Sequence, residues 1–256
     1  MLKIQLVGLY TLVRKELTRI LRIWPQTLVP PMITMSLYFL IFGNFIGSKI
    51  GTIQGVSYIK FIVPGLIMMA VITSAYANVA SSVFGSKFQN NIEELLISPL
   101  SNSIILWGFL CGGICRSLIV GTLVTGVSLF FAPLQLHSLF IIIITMLLTS
   151  IFFSMAGFIN ALFANSFDDI SIIPTFVLTP LTYLGGVFYS IKLLPDFWQT
   201  ISLANPVLYI VNIFRYGFLG ITDIPILLAL ITLVFFIFLM WGICLYLLKI
   251  GYGLKT

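Results

Sequence analysis

Long runs of apolar residues are the feature that most limits what this chain can fold into. A helix needs about 20 mainly apolar residues to cross a bilayer, and only structures that satisfy their own backbone hydrogen bonds can do so. Charged residues make up 8% of the chain, against about 25% in soluble domains, so nothing remains for a soluble domain of any size. The sequence therefore predicts an all-α membrane protein with six transmembrane helices, at 28–46, 61–85, 103–131, 139–163, 170–189 and 225–248.

The first 26 residues predict an amphipathic helix that lies in the membrane interface instead of crossing it. Apolar residues recur on one stripe, and basic residues occupy other faces, where they suit anionic lipid. The stripe comprises Leu6, Leu9, Tyr10, Val13, Leu17, Ile20, Leu21 and Trp24, and the other faces carry Lys3, Arg14, Lys15, Glu16, Arg19 and Arg22. An ordinary soluble helix is the alternative, which the span that follows at once disfavours. Residues 27–256 form the transmembrane domain.

A polar segment between the second and third spans predicts a short surface helix over 87–98. Its apolar residues share one helical face, and its polar residues fill most of the rest. The apolar set is Phe88, Ile92, Leu95 and Leu96, and the polar set is Lys87, Gln89, Asn90, Glu93 and Glu94. Pro99 ends the helix because proline cannot donate to the ladder and restricts the residue before it. Such a helix has a wet face free for a partner.

Residues 194–222 interrupt the apolar pattern and predict short re-entrant helices that dip into the outer leaflet. Prolines and polar residues divide the segment into aromatic pieces that are each too short or too polar to cross alone. The pieces are 194–199 and 205–215. A seventh span over 206–222 would move the C-terminus outside, and the polar side chains of Asn212 and Arg215 disfavour it.

The distribution of basic residues indicates the orientation, since six spans put both termini on one side. The N-terminal side carries Lys3, Arg14, Lys15, Arg19, Arg22, Lys87, Lys249 and Lys255, whereas the other side carries Lys49, Lys60, Lys192 and Arg215. The positive-inside rule makes the N-terminal side cytoplasmic. The net charge of +6 is thus scattered beside spans and does not form the basic face expected of a nucleic-acid-binding protein.

The sequence contains no motif for nucleotide hydrolysis or other catalysis. The stretch from Gly43 to Lys49 resembles a phosphate-binding loop superficially, but it is one residue short and its serine precedes the lysine. The single histidine, His137, lies in a short loop, and no nucleophile-elbow or zinc-protease motif is present. The three cysteines lie in apolar runs and favour packing over metal binding. The sequence therefore predicts neither an enzyme nor a cofactor bound by this chain.

Two polar features leave alternatives open. Arg116 is the one charge well inside a span; it either faces the interior and meets a negative head group or a backbone carbonyl, or it snorkels from a tilted helix. Asp168 and Asp169 begin the fifth span, where adjacent carboxylates either stabilise a helix start or form a proton-relay pair.

In combination, these features resemble the ABC-2 family of ABC-transporter permeases. The segment Ile92-Glu-Glu-Leu-Leu-Ile-Ser-Pro-Leu100 is similar to the family's E-x-L-L-x-S-P-x coupling helix. The order Leu184-Gly-Gly-Val-Phe-Tyr189, Leu194-Pro195, Asn205-Pro206, Tyr209 and Arg215 is similar to its G-x-x-F…L-P…N-P-x-x-Y…R outer region. Gln89-Asn90-Asn91 departs from the basic-acidic-acidic lead-in of many members.

The resemblance implies an ABC-2, or type V exporter, fold in the inner membrane of a bacterial cell. It implies a permease that pairs with a second copy of itself and with two cytoplasmic ATPase subunits, which bind ATP and Mg. It assigns ATPase coupling to Phe88, Ile92, Glu93, Glu94, Leu95 and Leu96, and an outer gate to Leu194, Pro195, Asn205, Pro206, Tyr209 and Arg215. The substrate is not fixed by it. An ATP-independent secondary transporter or channel is the alternative, and the predicted spans carry almost none of the acids that it would need.

Overall fold

The computed structural model describes residues 2–253, and most of them lie in helices. The helices are α1 Leu2–Arg22, α2 Trp24–Tyr38, α3 Gly47–Ile50, α4 Tyr58–Phe88, α5 Asn91–Ile97, α6 Asn102–Ser128, α7 Leu139–Phe163, α8 Phe167–Ile173, α9 Thr179–Leu184, α10 Asp196–Leu203, α11 Pro206–Leu219 and α12 Ile226–Ile250. Two π-helical segments, Phe39–Ile46 and Pro174–Leu178, join α2 to α3 and α8 to α9, and Ile191–Leu193 forms a 3-10 turn. A small antiparallel hairpin pairs β1 Thr52–Ile53 with β2 Val56–Ser57.

Five of the six predicted spans correspond to helices long and apolar enough to cross a membrane. They are Trp24–Ile50, Tyr58–Phe88, Asn102–Ser128, Leu139–Phe163 and Ile226–Ile250. The fourth matches its predicted limits, the second extends beyond its limits at both ends, and the sixth is shifted by one residue at its start and two at its end. The third is a continuous helix that ends at Ser128, earlier than expected. The first begins earlier than predicted, so Pro30 and Pro31 lie inside α2 instead of at its start.

The predicted fifth span, 170–189, is not one of these five helices. The chain is helical there from Phe167 to Leu184, but as two short α-helices, α8 and α9, joined by a π-helical segment that begins at Pro174. Proline has no N–H to donate, so it interrupts the ladder at this point. The helical path ends before Gly185, and residues 185–190 form turns at the end of the bundle.

The chain passes six times between two ends of a helical bundle. At one end, called the α5 end, Lys87 donates to the carbonyl of Leu162, and Phe163 packs against Tyr252. At the other, called the hairpin end, Gln54 donates to Asp223 at 2.6 Å. Gln5 of α1 donates to the carbonyl of Pro99, just after α5, so residues near both termini lie at the α5 end, as an even number of spans predicts. Residues 254–256, which include Lys255 of the charge argument, lie outside the described residues.

Helix α4 forms the centre of the bundle and packs against α6, α7 and α11. Close approach depends on small residues: a Cβ at Gly157 of α7 would overlap the backbone carbonyl of Tyr76. In α6, Gly108 and Gly112 face α1, where added Cβ atoms would lie 2.7 Å and 2.9 Å from the side chains of Leu12 and Glu16. The G-x-x-x-G pattern of α6 therefore serves packing within the chain.

Helix α1 buries Leu12 and Glu16, which lie outside the predicted apolar stripe, together with Ile20, which belongs to it. Leu12, Glu16 and Ile20 are buried, whereas Leu6 and Tyr10 are exposed. Leu12 and Glu16 pack against Gly108 and Gly112 of α6, which leave room for them. Glu16 forms hydrogen bonds within a polar network between α1 and α4. Other apolar side chains of α1 point outward, so the interfacial position of this helix stays a prediction.

Candidate functional site

The segment predicted as the coupling helix is shorter in the structure than the expected 87–98. Helix α4 continues to Phe88, and Asn90 has a left-handed backbone (φ 59°), which breaks the helical path before α5 begins at Asn91. Ser98 is extended (ψ 152°) ahead of Pro99 and ends α5. The result is a separate two-turn helix at the α5 end.

The two faces of α5 differ sharply in burial. Ile92 is 2% exposed and packs into the chain's own core, whereas Glu93 and Glu94 are exposed. A side chain buried in this way anchors α5 from beneath and has no exposed surface, and its predicted role in ATPase coupling stays a prediction. Ile97 is 85% exposed; it follows Glu93 by four residues, so it shares its face. The coupling surface predicted from the sequence did not include Ile97, although an isoleucine outside the apolar face of the predicted helix indicates an exposed apolar side chain.

The remaining predicted coupling residues divide between α5 and the end of α4. Leu95 and Leu96 are half-buried against the core beside Ile92. Phe88 belongs to α4, is 67% exposed, and stacks on Phe167 of α8 with ring centroids 5.2 Å apart. The structure thus brings all six residues to one end of the molecule but leaves only some of them on its surface.

Lys87 ties the end of α4 to the end of α7. Its Nζ donates to the carbonyls of Leu162 (3.1 Å) and Ala164 (2.7 Å), where α7 ends at Phe163. The last carbonyls of a helix lack intrahelical partners and attract a cation. Since α5 follows α4 after two residues, a displacement of α5 acts directly on α4, α7 and, through Phe88, α8.

Arg215, predicted for the outer gate, is 1% exposed and lies in the core at the hairpin end. Its Nε donates to the Phe61 carbonyl (3.2 Å), and its Nη2 donates to the Gly186 carbonyl (2.6 Å). The guanidinium also lies 3.8 Å from the centroid of the Phe61 ring, a cation–π contact. Helix α11 is therefore fixed to α4 and to the turn after α9.

The other predicted gate residues are mostly structural in their contacts. Asn205 caps α11 by accepting from the backbone N of Val207, and its Nδ2 donates to the Leu181 carbonyl at 2.6 Å. Pro206 occupies the first turn of α11, where its missing N–H costs nothing. Tyr209 donates its hydroxyl to the Leu203 carbonyl, also at 2.6 Å.

Leu194 and Pro195 lead into α10, which lies on the surface. Pro195 precedes the first residue of α10, and the Leu194 carbonyl accepts from Gln199. Phe197 and Trp198 of α10 are exposed. The predicted outer region therefore consists of a buried helix, α11, and an exposed one, α10.

The two open polar features have distinct outcomes. Asp169 forms a capping box with Ser166 and also accepts from the backbone N of Asn165 at 2.9 Å, so it stabilises the start of α8. Asp168 is exposed beside it. The Nη2 of Arg116 donates to the Thr27 carbonyl at 3.5 Å, which makes a backbone carbonyl its one protein acceptor among the described residues.

A polar network between α1 and α4 was not predicted. Glu16 accepts from Ser82 (2.6 Å) and from Arg19 (2.9 Å), and Arg19 also donates to Asn78. Sequence reasoning grouped Glu16 with the basic residues outside the apolar stripe, because its partner Ser82 lies 66 residues away in the chain. Glu16 lies four residues after Leu12 and four before Ile20, so the three share one helix face. This spacing could have indicated that Glu16 is buried with them.

A second unpredicted feature is a polar groove, defined by the exposed residues Thr73, Ala77 and Ser81 of α4. These residues follow one another at four-residue intervals on a helix that is otherwise largely buried. The groove has a cavity of about 370 Å³ on its α2 side and another of about 330 Å³ on its α8 side. Among residues 2–253, no group of three His, Cys, Asp or Glu side chains is placed to hold a metal ion.

Comparison with known proteins identifies the family. The family model described as ABC-2 type transporter matches residues 7–219. The chain is 57% identical over 256 residues to the inner membrane transport permease YadH of Escherichia coli (strain K12), and the match covers 100% of both chains. It is 24% identical over 185 residues to nodulation protein J of Rhizobium leguminosarum bv. viciae, covering 72% of this chain and 71% of that protein. Together with the five long apolar helices, these matches show that the chain belongs to the ABC-2 type transporter family, as a multi-pass membrane subunit of an ABC transporter.

Proposed function

We propose that this chain is the permease of an ABC exporter, driven from its α5 end by a separate ATPase that binds ATP and Mg. Two copies of the chain would pair with two ATPase subunits, and closure of the ATPases would push α5 and open a path between the copies. The chain itself would move substrate without hydrolysing ATP. The observation that carries this proposal is the position of α5: a short acidic helix that protrudes at one end while Ile92 anchors it in the core.

The contacts around α5 suit the transmission of force. Lys87 joins α4 to α7, and Phe88 joins α4 to α8, so a push at α5 reaches three of the six passes at once. Glu93, Glu94 and Ile97 are exposed on α5, and we assign them to the docking surface. Leu95 and Leu96 lie beside them at half burial and complete the docking surface where α5 meets the core.

The polar groove on α4 is our candidate for the wall of the transport path. Thr73, Ala77 and Ser81 would line a path beside the second copy, because they are small, exposed residues on a helix that is otherwise largely buried. At the hairpin end, Arg215, Asn205, Pro206 and Tyr209 would act as the fixed frame of the exit. The exposed helix α10, entered through Leu194 and Pro195, would be the part that moves.

The proposed location is a bacterial inner membrane with both termini in the cytoplasm. The α5 end carries Lys3, Arg14, Lys15, Arg19, Arg22, Lys87 and Lys249, more basic residues than the hairpin end. The positive-inside rule puts the richer side in the cytoplasm, where an ATPase could reach α5.

The docking proposal is tested by reversing the charges of α5. We expect the double variant Glu93→Arg, Glu94→Arg to lower co-purification with the ATPase and substrate-stimulated ATP turnover by about tenfold or more, because reversed charge opposes a complementary partner surface. Membrane insertion should be unchanged. Asp168→Arg is the matched control, since it reverses another exposed acid at the same end and should retain coupling. Full coupling in the double variant would contradict the assignment of α5.

An ATP-independent secondary transporter is the second candidate, and buried Glu16 is the observation that favours it. A buried carboxylate can carry protons, but Arg19 and Ser82 already satisfy this one. Transport that continues without the ATPase and stops on addition of a protonophore would support this candidate over the first.

A further inference from the structure

Arg116 carries a charge that the protein leaves largely uncompensated. Its one hydrogen bond, to the Thr27 carbonyl, is long at 3.5 Å, and its Nε is buried without a partner. No described carboxylate forms an ion pair with it; Glu16, the acid on the neighbouring helix, is paired with Arg19 instead. Charges within a membrane span are costly unless they pair or face a polar cavity, so Arg116 lacks the anion that its position calls for.

The cavity beside Arg116 has the size and lining of a binding site. It encloses about 370 Å³ between α2, α4 and α6, within the range of small-ligand sites. Ser74 lines it, is 4% exposed, and its hydroxyl has no hydrogen-bond partner. Buried hydroxyl and guanidinium groups normally have hydrogen-bond partners. The guanidinium group of arginine is particularly suited to bind phosphate. Two residues that each have an unsatisfied buried donor, Ser74 and Arg116, therefore line one cavity.

The mouth of this cavity opens on the side of the chain. Thr34 and Thr73, which also line it, are exposed, and Arg116 lies near the middle of α6, far from either helix end. Met35 and Met69 supply apolar lining beside the polar groups. An acyl chain can follow this route in the plane of the membrane, whereas a free anion would have to leave water to reach it.

We propose that this cavity binds the anionic phosphate head group of an amphipathic molecule, with Arg116 and Ser74 as its donors. If the chain is the exporter proposed above, on which this inference rests, such amphipathic molecules are the class of substrate that the groove accepts. The binding step itself needs neither ATP nor the ATPase.

The test titrates the purified full chain in maltoside micelles with dodecyl phosphate and follows its thermal unfolding. We expect dodecyl phosphate to raise the melting temperature, with dodecylphosphocholine and inorganic phosphate far less effective. An equal effect of inorganic phosphate would show that a free anion is the ligand, and an equal effect of dodecylphosphocholine would show that net negative charge is not required. Either result would overturn the head-group proposal.

Variants locate the binding. Arg116→Gln should raise the half-saturating concentration about tenfold, the scale of one lost charge-assisted hydrogen bond, while Arg116→Lys should retain most of the affinity. Arg22→Gln is the control for binding to the exposed basic residues of α1. If Arg22→Gln weakens binding and Arg116→Gln does not, the ligand sits on α1 and the proposal is wrong.

Two further variants keep the outcomes distinct. Ser74→Ala tests the cavity even if Arg116→Gln fails to fold, because it removes one hydroxyl and should weaken binding about threefold; unchanged affinity would count against the site. The charge-reversed α5 variant should bind dodecyl phosphate normally. Failure of coupling and failure of head-group binding are thereby observed separately.

Discussion

At the scale of single residues, three buried or half-buried charges have three different environments. Arg215 donates to two backbone carbonyls and contacts an aromatic ring. Glu16 accepts hydrogen bonds from an arginine and a serine, whereas Arg116 makes one long hydrogen bond to a carbonyl. The sequence alone marked Arg116 as a charge inside a span and Arg215 as a reason against a seventh span. It could not identify the partners, because carbonyl acceptors such as those of Phe61 and Gly186 leave no trace in residue type.

We expect substitutions at Arg215 to destabilise the fold in an order that reflects its geometry. Arg215→Met removes the guanidinium and leaves the Gly186 carbonyl without its donor, at a cost of about 1–3 kcal/mol. Arg215→Lys should be worse, since it keeps a buried charge but loses the planar fork that reaches two acceptors. Thermal unfolding in detergent measures the order.

Lys192→Met provides the comparison for Arg215, because Lys192 is an exposed cation at the same end and its loss should change the melting temperature little. A lysine variant of Arg215 that is as stable as the parent protein would mean that the two carbonyl bonds contribute nothing.

At the scale of elements, hydropathy located five long helices because each carries enough apolar residues to be recognised without its neighbours. The same reasoning placed the fifth span at 170–189 but missed its π-helical turn at Pro174 and its early end at Leu184. It also extended the coupling helix to 87–98, because it did not allow for the left-handed backbone of Asn90, although asparagine is one of the residue types that adopt it. Turn geometry at single residues was therefore the main source of error in helix limits.

Helix packing gives a prediction with an internal control. Gly157→Ala would force a methyl group against the backbone of Tyr76 and separate α4 from α7; overpacking of this kind costs about 1–3 kcal/mol. Gly126→Ala, on α6, adds the same methyl group where no atom lies within 4 Å, so we expect no loss of stability. Unfolding of both variants under one set of conditions measures the difference, and equal stabilities would refute the close-packing role of Gly157.

At the scale of the whole molecule, six passes were expected from the sequence, and the contacts at both ends of the bundle agree with that path. The polar groove and the hydrogen-bond network of Glu16 were not foreseen, because both depend on which helices become neighbours. Thr73 and Ser81 are ordinary residue types in a span, and only the arrangement of the neighbouring helices shows that they are exposed.

The orientation of the molecule is open to direct measurement in cells. In a background without Cys111, Cys115 and Cys244, we expect Lys192→Cys to react with a membrane-impermeant maleimide in intact cells. Ile97→Cys, whose side chain is 85% exposed in the parent chain, should react only after permeabilisation. The opposite pattern would put α5 outside the cell, where no cytoplasmic ATPase could reach it.

The bonds of Arg215 also set the order in which the molecule can be completed during synthesis. The ribosome delivers residues 61 and 186 before residue 215, so both acceptor carbonyls exist when the guanidinium emerges. Until it reaches them, it is an unsatisfied cation beside hydrocarbon, which is unfavourable. Residue 215 in the last third of the nascent polypeptide thus bonds to residue 61 in the first, and a chain halted before residue 215 would lack these bonds at the hairpin end.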